Sequence, residues 1–188
     1  PFIYSAAIAN GYNLSSIIND APIVFEDENL ESSWKPQNYT GEFYGSISIR
    51  DALINSVNIV SIKLLREMGL DKTHEYLENF GFSENKLPND LSLALGSGNF
   101  SPAEMVRAYS VIANNGSISN IHYIDNIQDR FGNTIYSHEE FISNNENNDI
   151  VAFPWLNTIE MTANKPYYLL EPIEDFEQVI DPRISFLM

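Results

Sequence analysis

The chain has 188 residues, and its 10 Lys plus Arg against 26 Asp plus Glu give a formal net charge of −16 at pH 7. A surface this acidic repels phosphate, which excludes nucleic acid as the main partner and argues against docking on anionic lipid. Apolar residues make up 44% of the chain and there is no Cys, which excludes wholesale disorder, disulfides, zinc–thiolate sites and thiol nucleophiles.

The two ends of the chain both look structured. The first eleven residues predict a helix that ends at Gly11, because Phe2, Ile3 and Ala6 share one face. The last five residues, 184–188, are apolar and carry no stop signal, whereas a natural terminus is usually polar and loose. We therefore expect an internal piece of a longer protein.

Residues 12–47 are predicted to be mostly loop, with one short strand at 22–25, because Pro, Gly and Asn interrupt any hydrophobic period. Four carboxylates between Glu26 and Glu31 raise the question of calcium. The alternating Asp/Asn ligands, central Gly and terminal Glu of a calcium loop are missing, so this acidic run is interpreted as a solvated loop.

The stretch 48–69 predicts two helices separated by a polar junction. Ser48 is placed to cap the first helix, and Gly69 closes the second. Apolar residues recur at helical spacing in the second helix, at Ile59, Ile62, Leu65 and Met68. The polar residues between the helices prefer caps and turns, so Ser56 and Asn58 are predicted to lie at the junction, with Asn58 near the positive helix end.

Three further elements are predicted before residue 120. Asp71 is placed to cap a helix over 72–80. The segment 91–98 is rich in small residues and glycine, but it lacks the Lys of a phosphate-binding loop, so it is interpreted as a packed turn. The sequence 101–104, Ser-Pro-Ala-Glu, has the cap, the N1 proline and the Glu of a complete helix start.

The pattern changes after residue 117. Residues 121–137 predict a β-hairpin with its turn at 129–133. Residues 138–180 predict an acidic, irregular insertion, and a last helix is predicted to begin after Asp181-Pro182.

The three histidines give little support for metal catalysis. His74, His122 and His138 do not pair at the spacing of a metal-binding helix, apart from a loose match of His74 with Glu78. No Ser lies in a strand-to-helix elbow flanked by glycines. A serine hydrolase that uses His74 or His122 as its base stays one alternative.

The context of Ser56-Val57-Asn58 is more specific than the tripeptide itself. The string from Arg50-Asp51-Ala52-Leu53 through Ser56-x-Asn58 to Met68-Gly69 resembles the second active-site motif of class A penicillin-binding proteins. Three other stretches resemble the same family in the same order: Pro1–Ala7, similar to the helix after the Ser-x-x-Lys nucleophile motif; Ser33–Tyr39, similar to its Trp-x-Pro-x-Asn segment; and Ser92–Gly116. The resemblance covers residues 1–136 and is closest to the Gram-negative bifunctional enzymes.

The resemblance implies an α+β fold, namely the predominantly helical lobe of a penicillin-binding transpeptidase (serine β-lactamase-like) fold with a β-hairpin and an irregular insertion. Residues 1–188 would be part of one transpeptidase domain. Its parts would be a helical lobe at 1–120 with the Ser-x-Asn motif, the hairpin at 121–137, the insertion at 138–180, and the start of a truncated helix at 181–188.

The resemblance also implies a parent protein, a bifunctional peptidoglycan synthase with a glycosyltransferase domain upstream. An N-terminal anchor would hold that parent on the periplasmic face of the bacterial inner membrane. Peptidoglycan stem peptides and β-lactams would be its ligands, the rest of the same polypeptide would complete the site, and no cofactor or metal is implied.

The family's chemistry implies catalytic roles for Ser56 and Asn58. In the full-length enzyme a Ser attacks the carbonyl between two terminal D-alanines of a stem peptide, while a nearby Lys helps to take its proton. Ser56 would pass a proton to the leaving D-alanine. Asn58, which has both a donor and an acceptor, would hold the Lys and the substrate's amide carbonyl.

The chain is expected to contain neither the family's Ser-x-x-Lys nucleophile motif, whose Lys would immediately precede Pro1, nor its Lys-Thr-Gly motif. We therefore expect the 188 residues alone neither to cross-link peptidoglycan nor to be acylated by penicillin. The second alternative is a non-catalytic helical binding module in which Ser56-Val57-Asn58 is only a helix cap.

Overall fold

The structure is a computed structural model that describes residues 1–24, 34–138 and 177–188, with Glu177 described by its backbone alone. Its helices are α1 (Phe2–Ala9), α2 (Ile49–Ile54), α3 (Asn58–Met68), α4 (Leu70–Glu78), α5 (Pro102–Ala113) and α6 (Pro182–Leu187), with 3₁₀ turns at Glu84–Lys86 and Leu91–Leu95. Its strands are β1 (Ile17–Asp20), β2 (Gly45–Ser48), β3 (Ser117–Ile118), β4 (Asn126–Gln128), β5 (Thr134–Ser137) and β6 (Glu177–Gln178). These elements confirm the predicted α+β class.

The chain divides into two compact units, one formed by Pro1–Ile118 with Gln178–Met188 and the other by Ser119–Glu177. The first unit contains all six described helices. The assignment of 1–188 to one partial transpeptidase domain, with internal boundaries at residues 120, 137 and 180, stays a prediction. None of the helices in the described residues has the length and apolar character that crossing a bilayer requires.

Helix α1 lies in the core of the first unit. Ala6 and Ala7 are fully buried, and these small residues allow α1 to contact α3, α4 and α6 closely. The Phe2 ring makes edge contacts at centroid distances of 5.0–5.1 Å with three aromatic rings, those of Phe80, Phe82 and Tyr109. The predicted first helix is confirmed, and its apolar residues form the centre of this unit.

Strands β1 and β2 pair antiparallel, with Ile18 opposite Ile47 and Asp20 opposite Gly45. The prediction of loop over 12–47 with a strand at 22–25 was wrong, since residues 21–24 are irregular and the strands lie elsewhere. The hydrophobic alternation was hidden because a fully buried Asp20 takes a core position that the pattern assigns to an apolar residue. Phe25 and the acidic run 26–31 lie outside the described residues.

Helices α2, α3 and α4 follow one another without a loop longer than three residues. Ser48 caps α2, since its Oγ accepts from the Asp51 N–H at 3.1 Å, as predicted. Gly69, with a φ of 87°, both ends α3 and precedes the first residue of α4. The predicted cap at Asp71 was wrong, because the glycine turn starts the helix at Leu70 and leaves Asp71 in its first turn.

The remaining elements of the first unit follow the predicted pattern. Ser101 and Glu104 form a capping box at the start of α5. The segment predicted to be a packed turn forms a 3₁₀ turn that contacts α3 and ends at Gly96, whose φ is 81°. Asp181 caps α6, accepting from the Arg183 N–H at 2.8 Å.

The chain returns to the first unit beside Gly116. The N–H groups of Val179 and Ile180 donate to the Gly116 carbonyl at 3.0 and 3.1 Å, and Gln178 donates to the Asn115 carbonyl at 3.1 Å. A Cβ on Gly116 would lie 2.3 Å from the Ile180 carbonyl oxygen, so this approach requires glycine.

In the second unit, β4 and β5 pair antiparallel and confirm the predicted hairpin. The Asp129 carboxylate organises its turn by accepting from the Phe131 and Asn133 N–H groups at 2.8 and 2.9 Å. The first strand begins at Asn126 rather than near residue 122. Of the predicted insertion at 138–180, residues 139–176 lie outside the described residues.

Candidate active site

Ser56 lies in the turn that ends α2 and leads into α3. Its N–H donates to the Leu53 carbonyl at 3.1 Å, and the Val57 N–H donates to the Ala52 carbonyl at 2.9 Å. These two bonds form a Schellman motif, in which the residue after the C-cap takes a left-handed conformation. Glycine usually fills that position, but here it is Ser56, with a φ of 52°.

The backbone of Ser56 is therefore strained. A left-handed conformation disfavours an L-residue by roughly 1–2 kcal/mol. The other non-glycine residue with positive φ in the described chain is Asn115, in the turn after α5, and Asn tolerates this region far better. Because such strain concentrates at functional sites, the conformation distinguishes Ser56 from the other serines.

The α2–α3 junction lines one side of a cleft of about 310 Å³, and the loop 38–44 lines the other side. The lining residues are Asn38, Tyr39, Thr40, Tyr44, Asn55, Ser56, Val57 and Asn58. Within the described chain the hydroxyl of Ser56 has no hydrogen-bond partner, and the residue is exposed. This hydroxyl is free to bind a ligand in the cleft.

Asn58 is half-buried and is the first residue of α3. Its Nδ2 donates to the Gln37 carbonyl at 2.9 Å, which fixes the carboxamide against the opposite loop. Its second N–H and its Oδ1 have no partner among the residues that the structure describes. The group can therefore offer a donor and an acceptor to a ligand at the positive end of the helix.

Helix α1 is tied to this junction through Ser61. The Ser61 Oγ lies 3.3 Å from the Tyr4 Oη and 3.0 Å from the Val57 carbonyl oxygen. Burial, with a smaller contribution from the charge of Asp20, raises the pKa of Tyr4, so the phenol stays neutral and able to donate. The segment predicted to follow the nucleophile thus packs against the helix that bears Asn58.

The structure brings Ser56 and Asn58 together on one cleft, as the sequence predicts, and their catalytic roles stay a prediction. Sequence reasoning missed the opposite side, formed by Asn38, Tyr39 and Tyr44. A signal was present, since Asn38 and Tyr39 end the Trp-x-Pro-x-Asn segment already noted in the resemblance. In the sequence that segment indicates the family, and nothing in it shows that Asn38 and Tyr39 face Ser56 across a cleft.

The expectation that the chain contains no Ser-x-x-Lys was wrong, since two stretches have this spacing, Ser32–Lys35 and Ser83–Lys86. The first lies partly outside the described residues. In the second, the Lys86 Nζ lies 2.6 Å from Glu104 Oε1. This lysine is paired with a carboxylate, so Ser83–Lys86 lacks the serine–lysine hydrogen bond of an activated nucleophile.

The described histidines do not form a triad with serine. His74 Nε2 lies 3.1 Å from the Pro88 carbonyl oxygen, and His122 Nε2 lies 2.6 Å from Asp125 Oδ1. Over 1–24, 34–138 and 177–188 there is no cluster of three or more His, Asp or Glu residues suited to holding a metal ion.

Comparison with known proteins places the chain in a family. A family model described as "Penicillin binding protein transpeptidase domain" matches residues 1–152. The chain is 46% identical over 136 residues to penicillin-binding protein 1A of Pseudomonas aeruginosa, covering 72% of this chain and 16% of that protein. It is 42% identical over 139 residues to penicillin-binding protein 1A of Vibrio cholerae, covering 74% and 17%.

Solved structures of penicillin-binding proteins have the same fold as this chain. The crystal structure of penicillin-binding protein 1A from Haemophilus influenzae matches with a TM-score of 0.75 and 31% identity, covering 100% of this chain and 27% of that chain. An imipenem acyl-enzyme complex of penicillin-binding protein A from Mycobacterium tuberculosis shares the fold, with a TM-score of 0.64 and 14% identity over 98% of this chain and 39% of that one.

The chain therefore belongs to the penicillin-binding protein transpeptidase family, and the predicted resemblance to that family is confirmed. It spans about a sixth of the length of the curated relatives it matches. Neither alternative, the binding module or the unrelated serine hydrolase, is favoured by these matches.

Proposed function

We propose that this chain supplies one wall of the active site of a serine-type D,D-transpeptidase that cross-links peptidoglycan. The observation that supports this proposal is the pairing of the unbonded Ser56 hydroxyl with the Asn58 carboxamide on one cleft. The strained backbone at Ser56 supports it further, because a mere helix cap would be better served by glycine.

The two side chains have complementary roles in this proposal. A nucleophilic Ser, supplied by sequence next to Pro1, attacks the carbonyl between two D-alanines, and the bond to the leaving D-alanine breaks. Ser56 passes the proton that the leaving amine requires, as a hydroxyl can donate and accept at once. Asn58 orients the catalytic Lys through its Oδ1 and the substrate carbonyl through its free N–H.

The substrate class is the peptidoglycan stem peptide, and β-lactams compete for the same cleft. The full-length gene product would be a bifunctional peptidoglycan synthase on the periplasmic face of the inner membrane. The rest of that polypeptide would contribute the nucleophile, the Lys and the Lys-Thr-Gly strand. No cofactor or metal takes part.

The experiment measures acylation of the full-length protein by a fluorescent penicillin, together with cross-linking of stem peptides. Ser56→Ala is expected to slow cross-linking by about 10²–10⁴-fold, the usual contribution of a positioned proton-transfer group. Asn58→Ala is expected to slow it by about 10²-fold, because the Lys and the substrate carbonyl lose the group that orients them. Ser46→Ala is the matched control, since Ser46 is equally exposed but lies on β2 and not among the lining residues. Unchanged cross-linking in Ser56→Ala would overturn the proposal.

A second experiment uses the 188 residues alone. Because neither nucleophile nor base stands at the family's position, we expect no labelling by the fluorescent penicillin. A covalent band that survives boiling in detergent would contradict this expectation.

A further inference from the structure

A buried carboxylate is paired with a buried carboxamide at the edge of the cleft. Asp20 is fully buried and Asn38 is 6% exposed. The Asn38 Nδ2 donates to the two carboxylate oxygens of Asp20, at 3.0 and 2.9 Å. Burying a carboxyl group is unfavourable unless hydrogen bonds replace those it made to water. An apolar pair would fill this space at lower cost, so the Asp–Asn pair indicates a role beyond packing.

The chemistry of Asp20 fixes the orientation of the Asn38 side chain. Both carboxyl oxygens of Asp20 accept hydrogen bonds, Oδ2 also from the Tyr44 N–H, so the NH₂ end of the carboxamide faces them. That end also donates to the Glu42 carbonyl at 2.9 Å. The Oδ1 of Asn38 is consequently turned toward α3, where it accepts from the Ile59 N–H at 3.2 Å.

This last bond reaches the proposed catalytic junction. Ile59 follows Asn58, and its N–H is among the first four of α3, which have no partner within the helix. Asn38 therefore caps α3 from 21 positions away along the chain. The cap holds the turn of backbone from which the Asn58 side chain projects.

The same pair holds the opposite side of the cleft. The Tyr44 N–H donates to Asp20 Oδ2 at 2.8 Å, and the Gly41 N–H donates to the Asn38 carbonyl at 3.0 Å. The strand register explains this placement, because Asp20 is paired with Gly45, the residue after Tyr44. The Gly41 bond is to the Asn38 backbone, but the side chains of Asp20 and Asn38 hold the loop through Tyr44 and Glu42, and the Asn38 side chain also holds α3 through Ile59.

We propose that Asp20 and Asn38 are positioning residues that set the separation of the two walls and the orientation of Asn58, a role that rests on the proposed function. Asp20 is not among the residues that line the cleft, and Asn38 lines it with only 6% of its surface exposed. They act through the backbone of Ile59 on one wall and the backbone of Tyr44 on the other. The expected signature is a lower maximal rate of acylation with little change in ligand affinity.

The test compares three variants of the full-length protein: Asp20→Asn, Asn38→Asp, and the exchange that combines both. Asn38→Asp sets two carboxylates against each other. It is expected to lower the maximal rate of acylation by fluorescent penicillin about 10²-fold, the effect of a displacement near 1 Å, while the half-saturating concentration changes less than about twofold. Asp20→Asn leaves one acceptor oxygen in place of two, so part of the contacts from Asn38 and Tyr44 is lost, and it is expected to lower the rate less than Asn38→Asp does.

The exchange variant gives the decisive comparison. Its amide, now on β1, again donates to a carboxylate on the loop, and that carboxylate can still accept from the Ile59 N–H. We expect the exchange variant to be acylated at least about tenfold faster than Asn38→Asp, although the Glu42 carbonyl loses its donor. The melting temperature of each variant is recorded beside its rate, because a loss caused by instability alone would follow the melting temperature, whereas a loss of positioning would exceed it.

Val111→Ala is the control for stability, because it truncates a fully buried side chain in α5, away from the cleft lining. It is expected to lower the melting temperature without changing the acylation rate. Wild-type rates in folded Asp20→Asn, or an exchange variant that is no faster than Asn38→Asp, would overturn the inference. Wild-type rates in Ser56→Ala and Asn58→Ala would instead overturn the proposed function.

Discussion

The N–H of Val57 donates to the carbonyl oxygen of Ala52 at 2.9 Å, and this bond closes the turn that forces Ser56 to a φ of 52°. Since glycine adopts this conformation without penalty, Ser56→Gly should be more stable than Ser56→Ala by about 1 kcal/mol. The difference in melting temperature between the two variants of the full-length protein measures it.

Both variants lack the hydroxyl, so both should lose cross-linking to the same extent. The pair therefore separates backbone strain from proton transfer at a single position. Equal melting temperatures for Ser56→Gly and Ser56→Ala would show that the turn is unstrained.

The aromatic core around α1 gives a second prediction. Phe80 is fully buried and its ring lies 5.0 Å from that of Phe2. Phe80→Ala should lower the free energy of unfolding by about 3–5 kcal/mol, because it removes a large buried side chain and leaves a cavity. Phe131→Ala, at a position that is 74% exposed, should change it by less than about 0.5 kcal/mol. Chemical denaturation measures both, and similar losses would contradict the description of the core.

A third prediction concerns acid stability. Burial favours the neutral form of Glu104, but hydrogen bonds from Lys86 and from Ser101 outweigh burial and hold the pKa of Glu104 below its ordinary value of 4.5. A carboxyl with a depressed pKa in the folded state adds stability above the unfolded pKa and loses it as the pH falls through the folded pKa.

Wild type should therefore melt above Glu104→Gln at neutral pH, and the gap should narrow as the pH falls below 4.5. Melting curves recorded between about pH 3 and pH 7 provide the measurement. Glu84→Gln is a suitable control, because Glu84 is exposed. A gap that stays constant across this range would show that the Lys86 pair does not contribute.

The hairpin unit gives a fourth prediction. The rings of His122 and His138 stack at a centroid distance of 3.8 Å. Burial first, and then the charge of His122, lower the pKa of His138 below 6.5, although Asp125 opposes this. The unfolded state thus takes up the proton first, and the hairpin should lose stability as the pH falls through 6.5 toward the folded value.

Imidazole titration by NMR measures this shift directly. His122→Ala should move the pKa of His138 back toward 6.5, since it removes the neighbouring charge. Tyr123→Ala, at an exposed neighbouring position, should leave it unchanged. An unchanged titration in His122→Ala would show that the stacked pair is not coupled.

The helices could be predicted from the sequence because their signals are local. Ser48 and Ser101 cap through bonds that span three residues, and Gly69 reverses the chain by its own backbone preference. The position of Ser56 and Asn58 at a helix junction could be predicted from the same capping and turn preferences. Their catalytic roles could not, and were predicted from the family resemblance alone.

The strand pair and the far wall of the cleft could not be predicted, because they depend on contacts between distant residues. Asp20 bonds to residues 18 and 24 positions further along the chain. An isolated polar residue in a short strand reads as solvent-exposed until its partner is known. The left-handed conformation of Ser56 was equally hidden, since no residue type there signals a positive φ.

The hydrogen bonds that join residues 115–116 to residues 178–180 bear on how the chain could accept insertions during evolution. The polypeptide leaves at Ile118 and comes back at Gln178, within reach of the carbonyl next to its point of departure. Once both ends of a loop are held in place, the entropic cost of closing it grows only with the logarithm of its length. The stretch between Ile118 and Gln178 can therefore lengthen, shorten or be replaced while the first unit keeps its shape.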